Sequence, residues 1–283
     1  MKYVTNVELG KKVILDKYPE FKNSTFAGDN SGWDNYAIKV DNEYIFRFPK
    51  RDSAYRTIMM ENEVLKELNK VLPDNIKVPN YLYINLDTDY PFVGYKMING
   101  EFLSDELYDS MSKEEKKNFI NNMMTFINIL HSLDINKFNL DEVDSYENYK
   151  MRYEEFKEKC YKYFDKDLIE KTDSLFNNYF NDKKMHEFEK VIIHGDLSTD
   201  HIIITDDGIG IIDFGDTRVF DKAYDYQWLY LLDKNELNNI IDNYSIDRIK
   251  FYTSIIPYYG IVYALEINDK EMLEKNIKQL RGN

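Results

Sequence analysis

Val191-Ile192-Ile193-His194-Gly195-Asp196-Leu197-Ser198-Thr199-Asp200-His201-Ile202, followed by Gly210-Ile211-Ile212-Asp213-Phe214-Gly215-Asp216, decides how this 283-residue chain is read. Val191–Ile193, Ile202–Ile204 and Ile209–Ile212 are short apolar runs of strand type, with Asp206-Asp207-Gly208 as a turn between the last two. Ionisable residues stand at the ends of these runs. Asp196 follows the first, His201 opens the second and Asp213 closes the third. Such groups face a cleft or a partner, because an unpaired buried carboxylate is costly. A hairpin of these runs is expected to bring Asp196, His201 and Asp213 to one end of a small sheet. One carboxylate can then orient a hydroxyl and accept its proton, while another holds a divalent metal against phosphate oxygens. Incidental acids in two strand-end turns are the plain alternative, but ordinary turn chemistry does not explain the two segments as a pair.

Upstream, the first hundred residues read as strands with one helix. Asp34–Val40 and Glu43–Phe48 are β-rich and joined by Asp41-Asn42, and Gly28-Asp29-Asn30-Ser31-Gly32 reads as a polar loop before them. Ser53–Leu72 carries Ile58, Val64, Leu65, Leu68 and Leu72 near helical spacing, and Pro73 ends it. Phe92–Ile98 is another strand. Beyond it the pattern turns helical. Ser112-Lys113-Glu114-Glu115 is a capping box opening a helix to about His131, charged helices fill about Tyr146–His186, and helices resume after Asp221. The chain therefore divides near Ile98–Leu103 into a strand-rich part and a helical part with an inserted hairpin.

Composition narrows the functional classes. At about 150 residues per domain the length suggests roughly two domains. Hydrophobic residues make up 43% and charged residues 31%, a globular balance rather than a disordered one. With 37 basic and 51 acidic side chains the net charge is −14, which argues against nucleic acid or anionic membrane as partner and suits a cationic one; solubility alone would also account for it. Cys160 is the single cysteine, so no internal disulfide forms. Met1–Lys12 has no apolar core of a signal peptide, and the longest uncharged stretch, Phe251–Leu265, falls short of the about 20 residues a bilayer needs. A soluble cytoplasmic protein is expected.

The spacing Asp-x₄-His and the following Asp-Phe-Gly resemble the catalytic and metal loops of the kinase fold, His-x-Asp-x₄-Asn and Asp-Phe-Gly. With His201 in the Asn place and the run Gly210–Asp216, the chain is more closely similar to the aminoglycoside phosphotransferases, in particular their 2″-phosphotransferase branch. The resemblance covers most of the chain, but only these two segments are highly specific. It implies an α+β, bilobal, protein-kinase-like fold: a small N-terminal antiparallel β-sheet lobe, residues 1–98, that binds nucleotide, a hinge at about 95–100, and a larger, mostly helical C-terminal lobe, residues 99–283, for catalysis and acceptor binding.

It also implies roles. Asp196 is the catalytic carboxylate, Asp213 supplies the main carboxylate to Mg2+, and His201 ligates the metal or holds a metal-bound water, since imidazole suits softer metals better. Arg47 replaces the Lys that kinases place on the nucleotide phosphates; Lys50, three residues on, would point to the opposite face of a continuing strand, and an ordinary strand-end charge is the bland reading of Arg47. Glu61 is the expected carboxylate partner of Arg47, because Val64, Leu65 and Leu68 follow it as in the family; Glu63 is the alternative. Ser31 and nearby amides lie where the family's phosphate-covering turn sits, although no GxGxxG is present. Tyr95, Met97 and Ile98 are expected at the nucleotide base. The Tyr95 phenol obstructs the usual adenine pose, which in this branch goes with guanine nucleotides. Acceptor-side candidates are Asp216, Asp233 and Glu236, with Asp221 and Asp225 as further acids and Tyr258, Tyr259 and Tyr263 as aromatics; Asp221 also reads as a helix N-cap and the aromatics as core. His194 would brace the catalytic loop, His131 is structural and His186 has no visible role.

The expected activity is transfer of the γ-phosphoryl group of GTP or ATP to a hydroxyl of an aminoglycoside by a monomer. A kinase of another alcohol (choline, an amino sugar, a macrolide) and a catalytically weak nucleotide-binding module are the alternatives. A metal-dependent hydrolase would need more ligands, and no Ala-Pro-Glu follows Asp213-Phe214-Gly215 as in protein kinases.

Overall fold

The computed structural model describes residues 1–282. It divides into two compact units, Met1–Leu140 with Asp196–Thr217, and Asp141–Gly195 with Arg218 onward. These units follow a different line from the division expected near residue 98. The segment 99–140 and the inserted hairpin cluster with the N-terminal strands.

In chain order the first unit begins with helix α1 (Val7–Lys17), β1 (Phe26–Asp29), β2 (Asn35–Val40), β3 (Tyr44–Pro49), α2 (Asp52–Val71), β4 (Ile76–Lys77), β5 (Tyr81–Asn85), β6 (Phe92–Lys96), β7 (Glu101–Phe102), α3 (Asp105–Ser110) and α4 (Lys113–His131). The second unit contributes α5 (Ser145–Cys160), α6 (Lys166–Asn181) and β8 (Lys190–Ile193). The chain returns to the first for β9 (Ile202–Thr205) and β10 (Gly208–Ile211). It then ends in the second with β11 (Arg218–Asp221), α7 (Ala223–Leu232), α8 (Lys234–Ile240), α9 (Asn243–Ile267) and α10 (Lys270–Arg281).

The five-stranded antiparallel sheet has the order β1-β2-β3-β6-β5. Asp41 and Asn42 both take a left-handed backbone, φ 53°, which suits their short polar side chains and reverses the chain between β2 and β3. Alternation then sorts the side chains of β3. Phe46 and Phe48 join an aromatic core with Phe21, Tyr83 and Phe92, while Arg47 points to the other face. Helix α2 buries Ile58, Glu61, Leu65 and Leu68, the i, i+3, i+7, i+10 stripe of one helical face.

Three expectations are corrected. Helix α1, capped by the Asn6 side chain accepting from the Leu9 N–H at 2.9 Å, stands where only strands were expected. The polar stretch Gly28–Gly32 begins inside β1 and leaves only its second half as loop. Most consequentially, the run Val191–Ile193 does not pair with Ile202–Ile204. β8 pairs antiparallel with β11 in a two-stranded sheet of the second unit, whereas β9 and β10 form a hairpin in the order β4-β10-β9-β7. The actual partner, Arg218-Val219-Phe220-Asp221, has a charge at each end and offers no apolar run for a sequence reading to find.

The second unit is helical and rich in aromatic contacts. Phe251 stacks on Tyr179 with ring centroids 4.1 Å apart. Asp221 is completely buried, and its carboxylate accepts from Arg248 Nε at 2.6 Å, Arg248 Nη2 at 3.1 Å, the Tyr252 hydroxyl at 2.7 Å and the Ala223 N–H at 3.0 Å. Asp221 is thus a structural anchor, not an acceptor-pocket acid; it ends β11 and accepts from the first N–H of α7, whose N-cap position is Lys222. Tyr258 is core as well, buried and bonded to the Thr172 hydroxyl at 2.8 Å, whereas Tyr259 and Tyr263 are partly exposed.

Candidate active site

A cavity of about 830 Å3 opens in the first unit. Among its lining residues are Ser31, Arg47, Tyr95, Met97, Ile98, Asp196, His201, Asp213 and Asp216. Residues from β3, β6, the segment after β8 and the β9–β10 hairpin therefore surround one space.

On one wall, Arg47 makes a two-pronged pair with Glu61. Nη1 donates to Oε2 at 2.9 Å and Nη2 to Oε1 at 3.2 Å. Glu61 is fully buried on the inner stripe of α2, and its negative charge holds the Arg47 guanidinium well above its usual range despite the opposing effect of burial. Glu63, two positions on, points outward and pairs with Lys66 at 3.0 Å. Helical phase decides between the two glutamates.

Opposite lies the ionisable cluster. His201 Nδ1 donates to the Asp196 carbonyl at 2.7 Å and lies 3.4 Å from Asp196 Oδ2. That bond selects the tautomer with Nε2 unprotonated in the neutral ring. Nε2 faces Asp213 Oδ2 at 3.6 Å, and Asp213 Oδ1 lies 4.0 Å from Arg47 Nη2. The two loops are tied by the Ile212 N–H donating to the His201 carbonyl at 3.0 Å. Asp213 itself has a left-handed backbone, φ 63° and ψ 70°, a strained conformation that aspartate tolerates better than most residues.

The cavity is also bounded by Tyr95, which is buried and tilted against Tyr81 with ring centroids 5.7 Å apart. Burial pushes the Tyr95 hydroxyl above its ordinary range, so it stays a protonated donor. The Met97 N–H, expected from sequence to face a ligand, is instead engaged by the Glu43 carbonyl at 2.7 Å, which extends the sheet. Ile98 sits against Gly210 on β10. A Cβ at 210 would come within 2.5 Å of Ile98 Cγ2, so only glycine allows this approach.

A family model described as the phosphotransferase enzyme family, APH, matches residues 25–254. The chain belongs to this family. Solved structures share its fold. An APH(2″)-IIIa complex with GDP and kanamycin matches with TM-score 0.84 and 22% identity over 96% of this chain and 97% of its own. A streptomycin–ATP ternary complex of APH(2″)-IIa gives 0.74 and 20% over 99% and 97%. A macrolide 2′-phosphotransferase from Brachybacterium faecium gives 0.68 and 16% over 98% of each. At these identities the likeness is one of fold, the α+β kinase-like arrangement of this family.

Several site features were not anticipated from sequence. Tyr81 joins the Arg47–Glu61 pair, its hydroxyl donating to Glu61 Oε2 at 2.6 Å and accepting from Arg47 Nη1 at 3.0 Å. Lys50 lies beyond the end of β3 and donates to the carbonyls of Asn30, at 3.0 Å, and Gly32, strapping the loop between β1 and β2. In that loop both the N–H and the hydroxyl of Ser31 donate to Asp29 Oδ1, at 2.8 and 2.6 Å, so Ser31 serves the turn in this state. The hydroxyl bond, then the amide bond, holds the Asp29 carboxyl below its usual range.

Asp225, at 2% exposure, accepts the N–H groups of His194 and Gly195 at 2.9 and 3.0 Å. It therefore braces the segment leading into Asp196 and does not line an acceptor pocket. Gly195 has φ 84°, a backbone that favours glycine, as this tight turn requires. The His194 ring is fully buried, and His186 packs against Tyr146 and Tyr179. Of the acceptor-side candidates, Asp216 lines the cavity of the first unit. Asp233 and Glu236 belong to the second, where Asp233 caps α8 by accepting from the Glu236 N–H at 3.1 Å.

Proposed function

We propose that this chain transfers the γ-phosphoryl group of GTP or ATP to a hydroxyl of an aminoglycoside-type acceptor. The observation that carries the reading is the convergence of Asp196, His201 and Asp213 on the cavity that Arg47 also enters. In this reading Asp196 orients the acceptor hydroxyl and takes its proton. Phosphoryl transfer asks for little covalent help, so positioning and charge neutralisation carry most of the rate. Arg47, fixed by Glu61, supplies the lasting positive charge. Tyr95 limits the depth of the base site, with Ile98 beside it, which supports use of GTP at least as well as ATP.

The donor set fits a magnesium ion. The bond from Nδ1 to the Asp196 carbonyl leaves His201 Nε2 as an acceptor facing the Asp213 carboxylate. No group of three or more His, Cys, Asp or Glu able to hold a metal occurs among the described residues. Asp213 suits Mg2+, which commonly takes one or two carboxylates and completes its shell with phosphate oxygens and water, and His201 Nε2 suits a metal-bound water rather than the hard ion itself. Asp213 would hold the ion directly and His201 through that water, and it would supply charge neutralisation at the β- and γ-phosphates.

The net charge of −14 supports a cationic acceptor. A different alcohol is the second reading, favoured by Asp233 being occupied as a helix cap. No helix among the described residues is long and apolar enough to cross a membrane. A cytoplasmic monomer remains part of the proposal.

The test is an acceptor screen with GTP and ATP in parallel, reading nucleoside diphosphate release, with Asp196→Ala beside the wild type. Aminoglycoside-dependent release that Asp196→Ala lowers at least about a hundredfold, the usual scale of a positioned base, with nucleotide affinity kept, is expected. Release indifferent to Asp196, or strong preference for ATP in competition, refutes the corresponding assignment.

A further inference from the structure

The pairing of β5 with β6 is irregular. Tyr81 lies opposite Tyr95, yet Tyr83 lies opposite Gly94, so Leu82 is an extra residue on β5. Leu82 is 59% exposed and belongs to neither face of the sheet interior. Successive residues of β6 point to opposite faces, so Tyr81 shares the face of Tyr95 and Tyr83 that of Gly94. In a regular strand both tyrosines would share one face. Tyr83 accordingly joins Phe21, Tyr44 and Phe46 in the aromatic core. The bulge re-aims Tyr81 to the face that carries Arg47.

There the Tyr81 hydroxyl donates to Glu61 Oε2 at 2.6 Å and accepts from Arg47 Nη1 at 3.0 Å. Nη1 also reaches Glu61 Oε2 at 2.9 Å, so both hydrogens of Nη1 are directed at this pair of oxygens. Nη2 spends one bond on Glu61 Oε1 at 3.2 Å and faces Asp213 Oδ1 at 4.0 Å. A lysine ammonium is a compact charge with no edges to sort, whereas a guanidinium must be turned correctly. We propose that Tyr81, re-aimed by the bulge at Leu82, is a positioning residue for phosphoryl transfer: it locks the Nη1 edge of Arg47 so that Nη2 is presented towards Asp213 and the nucleotide phosphates. The inference rests on the phosphotransferase reading of the same site. It makes Tyr81 the companion of the arginine that stands in the lysine place.

The experiment is a double-mutant cycle of Tyr81→Phe and Arg47→Lys, reading kcat, KM for the triphosphate, and separately the affinities for free nucleoside and for triphosphate. With Arg47 present, Tyr81→Phe is expected to lower kcat/KM about tenfold, the scale of one hydrogen bond to a charged group, and to leave nucleoside affinity unchanged. With Arg47→Lys, the same substitution changes kcat/KM less than about twofold, because the ammonium has no edge to sort. Equal losses in both backgrounds, no loss in either, or parallel losses of nucleoside and triphosphate affinity overturn the proposal. If Tyr81→Phe does not fold, Tyr81→His, which keeps a ring N–H there, is compared with the wild type across the same two backgrounds and judged by the same dependence on Arg47. A wild-type protein that binds no nucleotide refutes the phosphotransferase reading, whereas an active one indifferent to Tyr81 refutes only this inference.

Discussion

Replacing Arg47 by methionine tests how much the fold depends on the ion pair at its site. Glu61 has no exposure and accepts three hydrogen bonds, two from Arg47 and one from Tyr81. Arg47→Met leaves the carboxylate buried with the Tyr81 bond alone. Removing one partner of a buried pair typically costs about 3–5 kcal/mol. The remaining Tyr81 bond, and the 13% exposure of the Arg47 side chain, place the expected loss at the lower end, about 3 kcal/mol. The triple variant Arg47→Met/Glu61→Leu/Tyr81→Phe removes charge and hydroxyl together and should recover most of that loss, since apolar replacement of a whole buried pair is often neutral or better. The assay is urea denaturation followed by tryptophan emission. Trp33, in the first unit, is 77% exposed and changes little on unfolding, so far-ultraviolet circular dichroism is followed alongside the emission of Trp228 in the second unit. At a slope of about 1–3 kcal/mol per molar urea, the single variant should shift the midpoint down by about 1 M or more. Phosphoryl transfer should be absent from both variants, separating stability from activity. A loss below about 1 kcal/mol for Arg47→Met, or a triple variant as unstable as the single one, refutes the reasoning.

Two further outcomes follow from single residues. Asp29 is held below the usual carboxylate range chiefly by the Ser31 hydroxyl, so the order it lends the loop is complete above about pH 4 and is lost as pH falls through its lowered native value. The Ser31 amide resonance should report that acid transition, and Asp29→Asn, which keeps the acceptor oxygen but does not titrate, should abolish it; an unchanged titration contradicts the assignment. Cys160 is fully buried and burial pushes its thiol up to about 12, so the folded protein should not react with a thiol reagent at pH 8, whereas the urea-unfolded chain takes up one equivalent; rapid labelling of the native protein would show that its burial is not maintained.

Much of the site was legible because its chemistry is local. His194–His201 and Ile212–Asp216 carry Asp196, His201 and Asp213 on short segments flanking a two-strand hairpin, and local spacing suffices to bring them together. Glu61 was preferred to Glu63 because Val64, Leu65 and Leu68 follow it with the family's spacing, and the structure adds that it lies on the buried stripe of α2 with Ile58. What could not be read depends on partners distant in sequence or on register. The pairing of β8 with β11 is one case, since Arg218-Val219-Phe220-Asp221 is half charged and carries no strand signal of its own. Tyr81 is another. In the run Tyr81-Leu82-Tyr83-Ile84 strict alternation assigns both tyrosines to one face, and only the bulge separates them. The sole sequence sign was an ambiguous aromatic at either end of a leucine that proves exposed. Asp225 was visible as an acid, but its role as acceptor for two amides 30 and 31 residues earlier required the fold.

The two departures from the kinase pattern, Arg47 and His201, have a common physical form. Each replaces a smaller side chain by a planar group with distinct nitrogen edges, and each has one edge occupied by a neighbour. Tyr81 and Glu61 take Nη1 of Arg47, and the Asp196 carbonyl takes Nδ1 of His201. In both cases the other edge is left facing the same carboxylate. Nη2 lies 4.0 Å from Asp213 Oδ1 and Nε2 lies 3.6 Å from Asp213 Oδ2. Asp213 is thus bracketed oxygen by oxygen while its own backbone is held in the left-handed region at φ 63°. A strained aspartate persists only where its surroundings over-determine it. Here the Arg47 guanidinium attracts the carboxylate, whereas the unprotonated Nε2 of His201 offers it no hydrogen, so of the two it is Arg47 that holds Asp213 in place. This is why a single conservative change, Arg47→Lys, is expected to disturb Asp213 although it preserves every formal charge in the site.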